Sequence, residues 1–249
     1  MKEDSLPGVS RRDVLGLIGA TAALSLACDL QGESPEASGS SRPSPVTTPA
    51  CVVRPQQTGG PYFIDERLNR SDIRSDPADG AISPGAPLRL LFRVSRIDGN
   101  SCTPLEGALV DVWQCDALGI YSDVRDFNGL FDTRGKKFLR GNQTTDASGT
   151  ARFMTIYPGW YEGRTVHVHF KIRTDPASRR GLEFTSQLYF DDAMTDQVHA
   201  QPPYASKRGR RTLNAGDGIF RRGGSDLMLP VAKQGEGYVG TFDIGLRVS

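Results

Sequence analysis

Residues 87–97, Pro-Leu-Arg-Leu-Leu-Phe-Arg-Val-Ser-Arg-Ile, place Leu88, Leu90, Phe92 and Val94 at every second position, with Arg89 and Arg93 between them. Side chains of an extended chain alternate between its two faces, so this spacing gives one apolar and one polar face and predicts a strand covering a core. A helix would scatter the same residues around its circumference. The turn sequence Asp98-Gly99-Asn100 closes the run.

Comparable short runs follow at Ala108 to Gln114, Asn142 to Thr145, Thr150 to Ile156, Thr165 to Arg173, Thr185 to Phe190 and Tyr238 to Leu246. The two that flank Asp146-Ala-Ser-Gly149 are expected to form a hairpin. No ten-residue stretch beyond the N-terminal segment carries a helical stripe. The predicted fold is therefore all-β, an antiparallel β-sandwich. Two polar segments, 122–137 and 191–224, are longer than ordinary connections and are expected to be loops that either cover a functional site or are disordered.

The sandwich is expected to occupy residues 51–249. Residues 1–28 read as an export signal: Arg11 and Arg12 precede an uncharged, mostly apolar run that ends at Ala27. The arginine pair resembles a bacterial twin-arginine signal, and the run is short for a membrane span. Cys28 follows Leu24-Ser-Leu-Ala, which resembles a lipoprotein processing site with its leucine one place early. Residues 29–50 are rich in Ser, Pro, Gly and Glu and cannot bury enough surface to offset chain entropy, so they are expected to be a flexible linker. The expected location is beyond the bacterial inner membrane: periplasmic, surface-held through a lipid on Cys28, or secreted.

Net charge is +1 with acids and bases interspersed, which argues against a nucleic-acid or anionic-membrane surface as the main partner. Membrane contact is expected only through the Cys28 lipid, and the cluster Lys207-Arg208-Gly209-Arg210-Arg211 reads as a solvated loop. Cys51, Cys102 and Cys115 remain in the sandwich. Cys102 and Cys115 are expected near opposite ends of one strand, too far apart to pair, which leaves Cys51 as the partner of one of them.

The run Arg164-Thr-Val-His167-Val-His169-Phe holds two of the three histidines. Residues two apart on a strand share a face, so both imidazoles can reach one ion. Upstream lie Tyr157-Pro-Gly-Trp-Tyr161, a tight turn with two tyrosines, and Tyr121, just past a glycine. Phenolate oxygens suit ferric iron, whereas imidazoles alone suit zinc, copper or ferrous iron. A cupin-type site is disfavoured, because no glutamate follows His169 at the spacing such sites use. His199 is expected to be a solvated residue of the second polar loop.

Four blocks, taken in order, carry a specific resemblance: Gln57-Thr-Gly-Gly-Pro-Tyr62-Phe; Trp113 to Tyr121; Pro158-Gly-Trp-Tyr161 leading to His167-Val-His169; and Ser186-Gln187-Leu-Tyr-Phe. The chain resembles the intradiol ring-cleavage dioxygenases, the family of catechol and protocatechuate dioxygenases. The resemblance implies one mononuclear non-haem Fe(III) held by Tyr121, Tyr161, His167 and His169, with O2 as co-substrate. It also implies that Tyr161 is the tyrosinate that leaves iron when substrate arrives. Arg164 is implied as the cation that stabilises developing negative charge, and Gln187 as a group steadying the oxygenated intermediate. Tyr157 stands as the competitor for the Tyr161 position. The implied reaction opens a catechol between its two hydroxylated carbons to a cis,cis-muconate. A β-sandwich that binds catechols or ferric complexes without turnover would share the same site.

Overall fold

The computed structural model describes residues 52–175 and 181–248. The expected export signal, the linker and Cys51 lie outside the described residues. Nine strands are described: β1 (Pro87–Asp98), β2 (Ser101–Pro104), β3 (Leu109–Trp113), β4 (Arg140–Thr144), β5 (Thr150–Ile156), β6 (His167–Arg173), β7 (Glu183–Tyr189), β8 (Val231–Gln234) and β9 (Gly237–Arg247). They form two sheets, one in the order β2-β1-β9-β8 with β5 also on β1, the other in the order β4-β3-β6-β7. The β-sandwich expected from the alternating runs is thus present. Its pairings are antiparallel except β1 with β9, which run parallel from Leu88↔Tyr238 to Ile97↔Arg247.

The period-two residues of β1 face the space between the sheets. Leu88, Leu90, Phe92 and Val94 are all buried there, as are Val168, Phe170 and Ile172 of β6. Phe92 lies 5.2 Å from Phe170 and 6.1 Å from Phe242 between ring centroids, so both sheets contribute to one aromatic core. Burying a side chain of this size contributes roughly 1.5–3 kcal/mol. That is ample to fix which face of each strand points inward. The opposite face of β6 must then carry His167 and His169.

Several sequence expectations need correction. The segments around Asp146–Gly149 turn as expected, with the Gly149 amide donating to the Asp146 carbonyl at 2.8 Å, but they do not form a hairpin. β4 pairs with β3 and β5 pairs with β1, in different sheets. The Asp-Gly turn fixes a reversal of direction, whereas hydrogen-bonding partners are set by the whole sheet. Cys102 and Cys115 do not share a strand: Cys102 lies in β2, and Cys115 lies beyond the end of β3. Cys102 is disulfide-bonded, and Cys115 is buried and free.

The segment 191–224 is not simply a loop. It contains the helix α1 (Asp192–His199), capped by Asp191, whose carboxylate accepts from the Met194 amide at 2.8 Å. His199 ends that helix and is not solvated. Its ring stacks on Tyr204 at 4.8 Å, and its Nε2 lies 3.0 Å from the Pro158 carbonyl. The basic cluster is divided as well. Arg211 is nearly buried and bridges Asp192 and Asp196 of α1.

Candidate metal centre

Register places the histidines. On the outer face of the four-stranded sheet, Trp113, His169 and Gln187 stand in one row across β3, β6 and β7, and His167 stands opposite Tyr189. Directly opposed strand residues share a face, so these side chains converge. Trp113 lies flat against His169, with rings 5.1 Å apart and an interplanar angle of 4°. That stacking leaves His169 little freedom to rotate.

Two loops bring tyrosines over this face. After β3 the chain turns at Asp116, whose carboxylate accepts from the Leu118 and Ile120 amides at 2.9 and 2.8 Å. Tyr121 follows, fully buried, with its carbonyl held by the Thr133 hydroxyl at 2.6 Å. The second loop is the Tyr157 to Tyr161 turn. Gly159 donates to the Asp116 carbonyl at 3.1 Å. A Cβ at Gly119, whose φ is +88°, would collide with the Trp160 carbonyl, and one at Gly159 would collide with the carbonyls of Asp116 and Ala117. Glycine at both positions lets the two loops touch, which sets the Tyr121 and Tyr161 rings 5.7 Å apart.

The polar atoms meet at short range. The Nε2 atoms of His167 and His169 are 3.1 Å apart, and the Tyr161 hydroxyl is 3.2 Å from the Nε2 of His167. The Nδ1 of His167 lies 2.6 Å from the Thr165 carbonyl. A carbonyl only accepts, so Nδ1 carries the proton and Nε2 presents its lone pair to the site. Burial pushes the His167 imidazole down to about 3, with Arg164 adding to the effect, and drives His169 in the same direction. Both rings are neutral at ordinary pH, as metal ligation requires.

The tyrosines are less settled by protein contacts. The buried Tyr121 hydroxyl has no hydrogen-bond partner of normal geometry, although Tyr161 is near enough to influence its ionisation. Burial raises both phenols, Tyr161 to about 12. A buried cation stands beside them. Arg140 donates to the Ser122 and Tyr62 carbonyls at 2.7 Å each and forms no salt bridge among the described residues. Burial works against its charge, and Tyr121 is the first group that opposes this loss.

Arg164 enters from beside Tyr161. Its Nε donates to the Asp217 carboxylate at 2.8 Å, one Nη donates to the Gln187 side-chain oxygen at 2.5 Å, and the other lies 3.4 Å from the Tyr161 hydroxyl. Asp217 is buried and also accepts from the Thr165 and Ile219 amides. Burial disfavours its charge, but the Thr165 amide and Arg164 prevail and hold its carboxyl below the usual range. Gln187 donates to the Thr58 carbonyl at 2.9 Å. The Tyr189 hydroxyl joins the Gln57 side-chain oxygen, at 2.6 Å, to the same network.

All six residues singled out from sequence are thus brought together. Tyr157 is not among them: it is buried away from the pair of imidazoles, hydroxyl to hydroxyl with Thr195 at 2.8 Å. Asp217, Arg140, Trp113 and Tyr189 were not identified from sequence as members of this cluster. Among the described residues no group of three or more His, Cys, Asp or Glu is disposed to hold a metal ion. A cation between the imidazoles would need phenol oxygens to complete its set. The residues fit such an ion: the buried Tyr121 oxygen has no partner of normal geometry, and the unprotonated Nε2 of His167 turns its lone pair to the space it shares with His169 and Tyr161.

Comparison with known proteins decides the family. A family model described as Dioxygenase matches residues 58–208. An intradiol ring-cleavage dioxygenase from Tetranychus urticae has a solved structure that is 31% identical. The match covers 80% of this chain and 94% of that one, with a TM-score of 0.65. The chain belongs to the intradiol dioxygenase family. Among curated members, catechol 1,2-dioxygenase 1 of Acinetobacter lwoffii is 27% identical over 191 residues, covering 67% of this chain and 56% of that protein. The protocatechuate 3,4-dioxygenase beta chain of Burkholderia cepacia is 32% identical over 140 residues, covering 52% of this chain and 56% of that protein. The chain therefore spans about half the length of the curated relatives it matches. The 58–208 match takes in the tyrosine turn, the histidine strand and Gln187, whereas Asp217 lies beyond it.

Proposed function

We propose that this intradiol family member is a ferric dioxygenase that opens catechol rings between the two hydroxylated carbons. Both atoms of O2 enter the product, a cis,cis-muconate; the carbon–carbon bond breaks, the ring is oxidised, and dioxygen is reduced. The iron ligands in this reading are Tyr121, Tyr161, His167 and His169. The observation that carries it is the meeting of the two imidazole Nε2 atoms, 3.1 Å apart, with the Tyr161 hydroxyl 3.2 Å away.

Bound there, Fe(III) would draw charge from a chelated catechol and make its ring carbon reactive toward O2. The remaining work falls to the protein. The Tyr161 oxygen is the base that takes up one catechol proton, and its ring, only partly buried and lining the cavity, has room to move. Arg164, fixed on Asp217, holds a permanent positive charge where negative charge develops, a preorganised form of stabilisation. Gln187 holds the other end of that guanidinium and faces the same space. Trp113, stacked on His169, and the buried Tyr189 ring beside His167 pack against the two imidazoles.

Residues 1–28 serve in this reading as the export signal and 29–50 as a tether, so the enzyme works beyond the bacterial inner membrane. The support is the Arg11-Arg12 pair ahead of the apolar run and the low apolar content that follows. The substrate is then a free catechol met outside the cytoplasm.

The decisive experiment is to load the purified full chain with ferric iron, record its visible spectrum and follow oxygen consumption with catechol. A tyrosinate-to-iron charge-transfer band and one O2 consumed per muconate formed are expected. A colourless protein that selects zinc would overturn the ligand set. A coloured protein without oxygen uptake would leave a binder of catechols in place of an enzyme.

A further inference from the structure

The Tyr161 side opens to solvent through a cavity of about 480 Å³, lined among others by Tyr62, Phe127, Leu130, Trp160 and Arg208. That volume falls in the range of roughly 300–1,000 Å³ that holds a drug-sized ligand. One dihydroxylated ring fills only a small part of it. A second cavity of about 460 Å³ adjoins it, sharing Trp160 and Lys207 and adding Arg210. Trp160 is the wall between the two. Its ring is held by Lys207, whose Nζ lies 4.7 Å from the ring centroid and donates to the Leu118 carbonyl.

The walls have a definite chemistry. Phe127 and Leu130 are 80% and 77% exposed at the outer edge, an apolar surface open to the cavity mouth. Phe127 continues a ring series inward, 6.3 Å from Tyr62, which is itself 6.4 Å from Tyr161. Arg208 lines the first cavity and Arg210 the second, so the two flank the Trp160 wall. Both are exposed, and neither makes a salt bridge or hydrogen bond among the described residues. The neighbouring Arg211 differs, being tied to Asp192 and Asp196. Of the carboxylates on this rim, Asp126 is occupied by the Tyr62 hydroxyl at 2.7 Å and by the Asn128 and Leu130 amides. Glu162 lines the first cavity next to Tyr161, and Arg210 in the second cavity has no part in that lining.

From this arrangement we propose that the preferred substrates are catechols carrying an extended arm that ends in an anion. The ring sits at Tyr161, the arm runs along Tyr62, Phe127 and Trp160, and the anion meets Arg208 and Arg210. The proposal rests on the dioxygenase reading for the ring's position, and on the two cavities for the arm. Each arginine is solvent-exposed, so each ion pair contributes little, and two together give a preference of about tenfold.

The test compares kcat/KM of the iron-loaded full chain for 3-(3,4-dihydroxyphenyl)propanoate and for its uncharged methyl ester. The acid should be favoured about tenfold at low ionic strength, and the ratio should fall toward one in high salt. It should also fall toward one in an Arg208→Gln/Arg210→Gln variant. A ratio near one in the native chain, or one untouched by the double substitution, would overturn the proposal. Binding of the same two compounds to metal-free protein, followed by tryptophan fluorescence, gives the ratio without turnover. If no catechol is consumed at all, the dioxygenase reading fails, and the binding ratio still decides whether the arginines select an anion.

Discussion

The candidate centre has two halves that are built differently. His167, His169 and Gln187 stand on paired strands, where register and a buried apolar face fix every side chain. Tyr121, Tyr161 and Arg164 stand on connections, where position depends on a few hydrogen bonds and glycine contacts. The loop half is itself graded. Tyr121 is fully buried, with its backbone pinned by Thr133. Tyr161 is only partly buried, and its hydroxyl lies 3.2 Å from the His167 Nε2 and 3.4 Å from Arg164. Strands suit donors that must stay, and a half-open turn suits a donor that must let go.

The sharpest way to break this comparison is to remove one proposed ligand from each half. His169→Ala should lower iron affinity by at least about 100-fold and abolish turnover, because the strand cannot offer a substitute. Losing an outer-shell partner alone already costs roughly 10–100-fold. Tyr161→Phe should keep most of the iron, lose much of the visible charge-transfer band and slow turnover by about 100-fold or more. Metal content measured on both purified variants, beside the visible spectrum, decides the matter. Equal iron loss in the two would erase the distinction between halves.

Asp217 tests whether the loop half is held as firmly as its hydrogen bonds suggest. Asp217→Asn keeps the shape but removes the charge that holds the Nε of Arg164 at 2.8 Å. The expected loss is about 10–100-fold in kcat with KM changed far less, since the guanidinium remains but is no longer aimed. A fall confined to KM would mean that Arg164 acts in binding alone.

Sequence reasoning reached the two halves unequally. The strand half was visible from period-two patterning around His167 and His169, a local signal. Tyr121 and Tyr161 were visible only as tyrosines beside turns, and their ligand roles, like the roles of Arg164 and Gln187, came through the family resemblance. Asp217 escaped because it is 53 residues from Arg164, inside a polar stretch that offers no period. Arg140 escaped for a similar reason, because its place opposite Trp113 depends on β3–β4 register. The helix α1 did carry a local sign, Asp191 as an N-cap followed by Asp192 in the first turn, and was overlooked because its eight residues show no apolar stripe. The partition of β4 and β5 between sheets has no local signature at all.

The finest test lies within one turn, where Tyr157 and Tyr161 differ by four positions. Burial raises both phenols, but Tyr157 spends its hydroxyl on Thr195 at 2.8 Å and sits against Phe190 at 4.6 Å. Tyr157→Phe removes that hydroxyl without changing the ring. Thr195 keeps its bond to the Asp191 carbonyl at 2.7 Å, so no buried donor is stranded. The expected cost is about 1 kcal/mol of stability, the net value of one hydrogen bond, seen as a lower denaturation midpoint at constant m. The charge-transfer band and kcat should stay within about twofold of the native values, the range left when a distant contact is lost without moving a ligand. A bleached Tyr157→Phe protein would exchange the roles of the two tyrosines and move the mobile donor to the buried end of the turn.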